Sequence, residues 1–584
     1  IPELEPRTIQ QPSADGRVLG LDALRGLAIL LMCLSGLVPT LLPNWMYHGY
    51  YPNYVPNPAG EWVGEAANRF KFRGEWSAFT WVDWVFPMFL FAMGAAIPLA
   101  LAGRRARGER VGRLALQVVS RWLLLIFFGV YVGQVAPGLS DPPPTTGTWW
   151  LALVAFALPF AIFAPLPRDP PPHLARAIRL FGFISCAMLL LYLSNREGKS
   201  FSWGRHDIII LLLAHTFLVA ALLWLILPGR WWWARLIVAL PIMLLAHHEG
   251  IARDNGWQQE LRWFGAIHPK LDEYAGKAMP YLNFQYTVGE EASGKLVRHS
   301  ALNLHSAIHN ATRGSITVPE PMRPYLDLSP LWHFTWLKFL WCVIPGTIIG
   351  DWLLRRPVRD GSRVPIGPAL AFTALALALT IGVFAGLRHY GFPAGSTAIL
   401  RTPWITLLIG LPFLIGLIAI LFVWRERFPR AFVPLTIFVS IFMAIGLGLA
   451  LAPWKGGFFE RGISKGPPAT LSWYLLSNGL SIVWLMMFAL WIDVRGTRAL
   501  GLLTANGQNP MLAYLGIRNL LAPLVALPLL LPIAPWIGAD SLRGWMNNVF
   551  GPNPWPQFVW ALLQTLLLAV LIWLFTRRRI VWRA

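Results

Sequence analysis

Apolar runs of about 20 residues, separated by polar loops, recur from one end of this chain to the other. They lie at roughly 19–43, 79–102, 114–136, 148–166, 178–194, 208–228, 233–247, 331–354, 367–387, 403–424, 431–452, 472–492, 510–533 and 557–576. The run at 233–247 is short, and proline interrupts the one at 510–533. The pattern predicts an all-α protein, a polytopic membrane helix bundle of about 14 transmembrane helices. One stretch breaks the rhythm. Residues 248–330 are mostly polar but carry Trp257, Trp263, Tyr274, Tyr281 and Tyr286, which reads as an ordered outer-side insert rather than a linker. The expected organisation is a tail at 1–18, an N-terminal bundle at 19–247, the insert at 248–330 and a C-terminal bundle at 331–584.

Composition agrees with a membrane protein: 56% of residues are hydrophobic and 13% charged, with a mean hydropathy of +0.52. The formal charge of +21 would point to nucleic acid in a soluble protein. Here the arginines fall in short loops instead. Arg104, Arg105, Arg107, Arg110 and Arg113 follow the second run, Arg355, Arg356, Arg359 and Arg363 the eighth, and Arg425, Arg427 and Arg430 the tenth. Arg577, Arg578, Arg579 and Arg583 close the chain. If the helices alternate, all these stretches share one side, so the positive-inside rule puts both termini in the cytoplasm. The expected location is therefore a bacterial inner membrane, crossed many times, with no nucleic-acid partner. Residues 1–18 lack the apolar core of a cleavable signal peptide. Cys33, Cys186 and Cys342 lie in apolar runs without ligand spacing, and no acidic residue completes the His305/His309 pair, so no metal is expected.

Ionisable residues in or beside membrane-length runs need a reason, because each is costly there. His48 follows the first run, flanked by Trp45, Tyr47, Tyr50 and Tyr51. A histidine can take a proton from an amine or hydroxyl during acyl transfer; the other reading is a bystander in an interfacial aromatic belt. Asp83, near the start of the second run, either orients such a base, holds a substrate amine, or forms a structural ion pair. Asp22 and Arg25 share a helix face and either pair with each other or leave Arg25 to meet a phosphate. Arg121, a turn beyond Gln117, is a second candidate anion contact or a snorkelling side chain. Gln508 and Asn509, in Asn506-Gly507-Gln508-Asn509-Pro510 ahead of Tyr514, either cap a helix or line a polar path. His215, within the sixth run, reads as a hydrogen-bonded core histidine.

These residues resemble the heparan-α-glucosaminide N-acetyltransferase family and its bacterial relatives. Leu21-Asp22-Ala23-Leu24-Arg25-Gly26 resembles that family's opening motif, and Thr80-Trp81-Val82-Asp83-Trp84-Val85-Phe86-Pro87 its second helix. Ile344-Pro345-Gly346-Thr347-Ile348-Ile349-Gly350-Asp351 and Gly507-Gln508-Asn509-Pro510 look like later family segments. The resemblance implies transfer of an acetyl group from cytoplasmic acetyl-CoA to a glucosamine amine across the membrane. The family's histidine stands close to the second helix, where this chain reads Phe72-Arg73-Gly74-Glu75-Trp76; the hairpin's only histidine is His48, beside the first helix. The reading is an integral membrane acyltransferase, with acyl-CoA as donor substrate and no permanently bound cofactor. Arg25 and Arg121 would meet the donor, His48 would act as base or transient acyl carrier with Asp83 orienting it, and the acceptor would be an outward-facing sugar or glycan. The alternative is a non-catalytic member of the fold, a transporter or a subunit of a larger membrane complex.

Overall fold

A computed structural model describes residues 18–38, 79–137, 145–166, 170–196, 203–255, 285–290, 296–300, 334–356, 364–388, 401–451, 469–527 and 553–582, with isolated residues between them. Helices dominate. The N-terminal bundle contains α1 (Leu19–Ser35), α2 (Trp81–Ala106), α3 (Val111–Val135), α4 (Thr146–Phe163), α5 (Pro172–Arg196), α6 (Ile208–Ile226) and α7 (Trp232–Asn255). A two-stranded antiparallel hairpin follows, β1 (Gln285–Glu290) with β2 (Leu296–Ser300), pairing Tyr286 with His299. Within the stretch 248–330, this hairpin is described together with residues 248–255, which continue α7 beyond the expected boundary at 247. The C-terminal half contains α8 (Trp336–Arg355), α9 (Ile366–Arg388), α10 (Arg401–Val423), α11 (Phe432–Leu451), α12 (Leu471–Val494), α13 (Gly501–Gln508), α14 (Pro510–Ala526) and α15 (Pro554–Arg577).

Each apolar run read from the sequence overlaps a helix among the described residues. Ten helices among the described residues are long and apolar enough to cross a membrane. This is an all-α polytopic bundle and an integral multi-pass membrane protein. Its outer surface agrees: Leu180, Phe181, Ile184 and Met188 on α5, Ile437, Ile441 and Ile445 on α11, and Val559, Leu563 and Leu567 on α15 are all exposed. In water such stripes would aggregate; in a bilayer they are the solvated face. The expected run at 510–533 is an irregular element. Asn509 breaks the chain between α13 and α14, and a π turn at Ile517–Leu521 widens α14.

The core sits around α12, the most deeply buried of the spans. Without a hydrophobic force between helices inside lipid, close packing and hydrogen bonds must hold them together. Indole groups do part of this. Trp84 of α2 donates to the Ser477 carbonyl and Ser481 hydroxyl of α12, both at 3.2 Å. Trp484 and Trp491 of α12 donate to the hydroxyls of Thr380 and Thr373 on α9, at 2.9 and 2.8 Å. Small residues do the rest. A Cβ added at Gly94, Gly346 or Gly350 would strike backbone where α2 crosses α8. At the crossing of α1 and α13, a Cβ on Gly26 would fall on the Leu503 carbonyl, and one on Gly507 on that of Asp22.

These crossings have no room to relax, since the obstacle is backbone rather than a flexible side chain. Gly26→Val is expected to cost about 1–3 kcal/mol or more, as overpacking does. A lowered thermal unfolding midpoint in detergent would register it, while Gly448→Ala, with nothing within 4 Å of the added Cβ, should leave the midpoint in place.

Candidate functional site

The first turn of α1 is the place to start, because helix starts leave amide groups without partners. Val18, the residue before the helix, supplies no side-chain cap. Asp493, in the π turn that ends α12, does so instead: its carboxylate oxygens accept from the Leu19 and Gly20 amides at 3.0 and 2.7 Å. A carboxylate there also meets the positive end of the helix dipole. With α1 anchored and α13 laid against it, three of the expected residues converge. Arg25 lies 3.5 Å from Asp22 and donates to the Gly507 carbonyl at 3.2 Å, and Gln508 donates to Asp22 at 3.4 Å. Asp22 and Arg25 therefore do pair, and the pair is tied to the Gly507-Gln508 segment.

Arg25 also lines a cavity of about 610 Å³ among α1, α2, α3, α6 and α14. One end is cationic and polar: Arg25, Arg104 and Arg121 stand there with Gln117 and Ser120. The remaining wall is apolar, running past Ile29, Phe89, Met93, Ile97, Leu213 and Phe217 to Met32, Ile209 and Tyr514. Along α2 alone the lining from Phe89 to Arg104 covers roughly 22 Å, at ~1.5 Å per residue. The Arg end is formed early in α1, late in α2 and early in α3, so neighbouring helices run in opposite directions as expected.

Arg104 was legible only as one charge in a topology-setting loop. In the structure its guanidinium makes a two-pronged contact with Glu109, Nε to Oε1 at 2.9 Å and Nη2 to Oε2 at 2.7 Å. Arg104, helped by Arg107 and Arg113, holds the Glu109 carboxyl below the usual range. The pair is thus intact near neutral pH and is lost as pH falls through that lowered value. Gln117 Oε1 is buried with no hydrogen-bond partner among the described residues, a polar atom of a residue at the cavity wall. At the opposite end Tyr514 donates to Asp207 Oδ2 at 2.8 Å, while Asp207 Oδ1 caps α6 through the Ile210 amide at 3.1 Å.

The other expected residues divide. Asp83 is buried and forms a capping box with Thr80, its Oδ2 accepting from the Thr80 amide at 3.2 Å and hydroxyl at 3.1 Å. It fixes the start of α2. Asn509 does not line the cavity. Its side-chain amide donates to the Ile580 carbonyl at 2.8 Å and its Oδ1 accepts from the Trp582 amide at 3.0 Å, holding the chain beyond α15. His48 and the residues around it lie outside the described residues. His215 is buried, its Nδ1 2.8 Å from the Leu211 carbonyl, as a core histidine should be. Among the described residues no cluster of His, Cys, Asp or Glu could hold a metal ion.

One further charged pair was not foreseen. Arg235 of α7 is fully buried and meets Asp351 of α8, which also accepts from the Trp224 indole of α6 at 2.9 Å. The apolar run at 233–247 masked Arg235, and Asp351 read only as part of a family-like segment.

Comparison with known proteins adds one relation. A family described as Domain of unknown function (DUF5009) is similar to this chain over residues 17–263. That stretch contains α1 to α7 and most of the cavity wall, but not α14. No curated protein matches the chain.

Removing one member of a buried ion pair strands its partner at a cost of about 3–5 kcal/mol. Asp351→Ala is accordingly expected to lower the yield of monodisperse protein and its unfolding midpoint sharply. The double change Arg235→Met with Asp351→Leu should recover much of that loss, which chemical unfolding of the purified variants would measure.

Proposed function

We infer that the protein is a membrane acyltransferase whose donor is an acyl-CoA. The observation that carries this reading is the cavity: guanidinium groups at one end and a long apolar wall beyond them. That is the complement of a molecule with a phosphate-bearing head and a thin, less polar arm. Arg121 and Arg25 meet the phosphates; Arg104 joins them when Glu109 yields. The arm lies along α2, whose outer end carries Asp83 roughly 9 Å beyond Phe89, at ~1.5 Å per residue. The thioester carbonyl rests at the outer end of that wall, the end nearest the stretch between α1 and α2 that carries His48, with the acyl chain still inside the cavity.

There His48 removes a proton from an amino or hydroxyl group of an outward-facing sugar. The freed nitrogen or oxygen attacks the thioester carbonyl, the new bond forms as the carbon–sulfur bond breaks, and the proton passes to the departing CoA thiolate. Asp83 acts as a positioning residue, setting the first turn of α2 beside that base. In this reading the Arg end of the cavity faces the cytoplasm of a bacterial cell and both termini lie on that side. The resemblance of the Asp22–Gly26 and Thr80–Pro87 motifs to the acetyltransferase family supports it.

Two measurements test the reading. Purified protein in lipid nanodiscs should bind CoA, and Arg121→Ala should weaken binding about tenfold, the effect of one lost charge-assisted hydrogen bond. His48→Ala should keep CoA affinity and abolish transfer of labelled acetyl to an amino sugar. Unchanged transfer in that variant would remove His48 from the mechanism. A folded native protein that does not bind CoA would overturn the donor assignment in favour of a transporter or complex subunit.

A further inference from the structure

The apolar end of the cavity has a wall of its own. Tyr514 of α14 stands there with Met32 and Ile209, at the opposite end from Arg25 and Arg121. Its ring is not free to swing aside. The hydroxyl donates to Asp207 at 2.8 Å, and Asp207 is itself committed to the first turn of α6 through the Ile210 amide. The carboxylate thus ties α14 to α6 at a residue that lines the cavity.

We propose that Tyr514 sets the length of the acyl chain the cavity accepts, admitting short acyl groups and excluding long ones. The inference rests on the acyl-CoA reading above. Physically, a chain that grows by methylenes gains affinity only while each new group finds apolar surface to bury. A ring held in place by a hydrogen bond to a helix cap cannot retreat as a flexible side chain does, so the gain stops where the chain meets it. A chain forced further must displace the ring and break the tyrosine–aspartate hydrogen bond, leaving the buried hydroxyl without its acceptor. Asp207 is a positioning residue here: it acts on chain length only through Tyr514.

The test uses the full-length protein in nanodiscs, titrated with CoA, acetyl-CoA, butyryl-CoA and octanoyl-CoA. The native protein should bind the first three alike or with modest gains, and octanoyl-CoA more weakly. Tyr514→Ala should raise the affinity for octanoyl-CoA relative to that for CoA by about tenfold, what one or two newly buried methylenes supply. Tyr514→Phe keeps the ring and loses the hydrogen bond, so it should retain the preference for short chains with a softer cut-off. Should Tyr514→Ala not yield folded protein by gel filtration, Tyr514→Leu gives the same reading with a smaller shift. Identical chain-length profiles in the native protein and the folded variants, with CoA still bound, would overturn the role of Tyr514 alone. No CoA binding by the native protein would overturn the acyl-CoA reading and this inference with it.

Discussion

A helix that starts inside a packed bundle leaves its first amide groups facing an environment that cannot solvate them. In this protein the start of α1 is satisfied by a carboxylate from the far end of the chain, Asp493, which accepts from Leu19 and Gly20. The contact places the first helix against the last turn of α12. It also sets the height at which Gly26 and Gly507 meet, where neither position has room for a Cβ. Arg25 sits between these two fixed points. Its direction into the cavity follows from the cap and the crossing together, and without both of them the cationic end would lose its first guanidinium.

The remaining charges are handled in two different ways. Arg235 and Asp351 are fully enclosed and neutralise each other, with the Trp224 indole completing the carboxylate. Such a pair adds little net stability but makes the packing of α6, α7 and α8 specific, because any other register strands a charge. Arg25, Arg104 and Arg121 lie instead on the wall of an open space. Arg25 and Arg104 are each held by a nearby carboxylate, Asp22 and Glu109. A charge placed at a cavity wall and held in one orientation is what recognition of an anion requires. The contrast separates the two groups: one organises the fold, the other lines the cavity.

The two halves of the proposed site stand differently in the structure. The donor side is a cavity with geometry, walls and two distinct ends. On the other side, Asp83 and Thr80 cap α2, the helix that follows the stretch carrying His48. That cap still constrains the chemistry, since it sets where the chain between α1 and α2 must return to the bundle. The similarity to a family of unknown function over residues 17–263 covers the same helices. Tyr514, outside that stretch, lines the cavity from the C-terminal half.

Much of the architecture was legible in the residues themselves. Length and hydropathy are enough to place helices, since a bilayer demands about 20 apolar residues of every span. They placed the long helices found among the described residues. Asp22, Arg25 and Gln508 were also recognisable, since polar groups beside apolar runs stand out, and the structure brings them together. What the chain could not disclose were partners distant in sequence. Asp493 reads as one acid at a helix end until its oxygens meet the amides of residues 19 and 20. Asn509 looks like a substrate contact until its amide is seen holding Ile580 and Trp582. Tyr514 reads as the tail of a motif until Asp207 fixes its ring across the cavity. Periodicity is a property of neighbours along the chain, whereas a cap, a crossing or a cavity wall is made by helices that meet only in three dimensions, and that meeting decided the site.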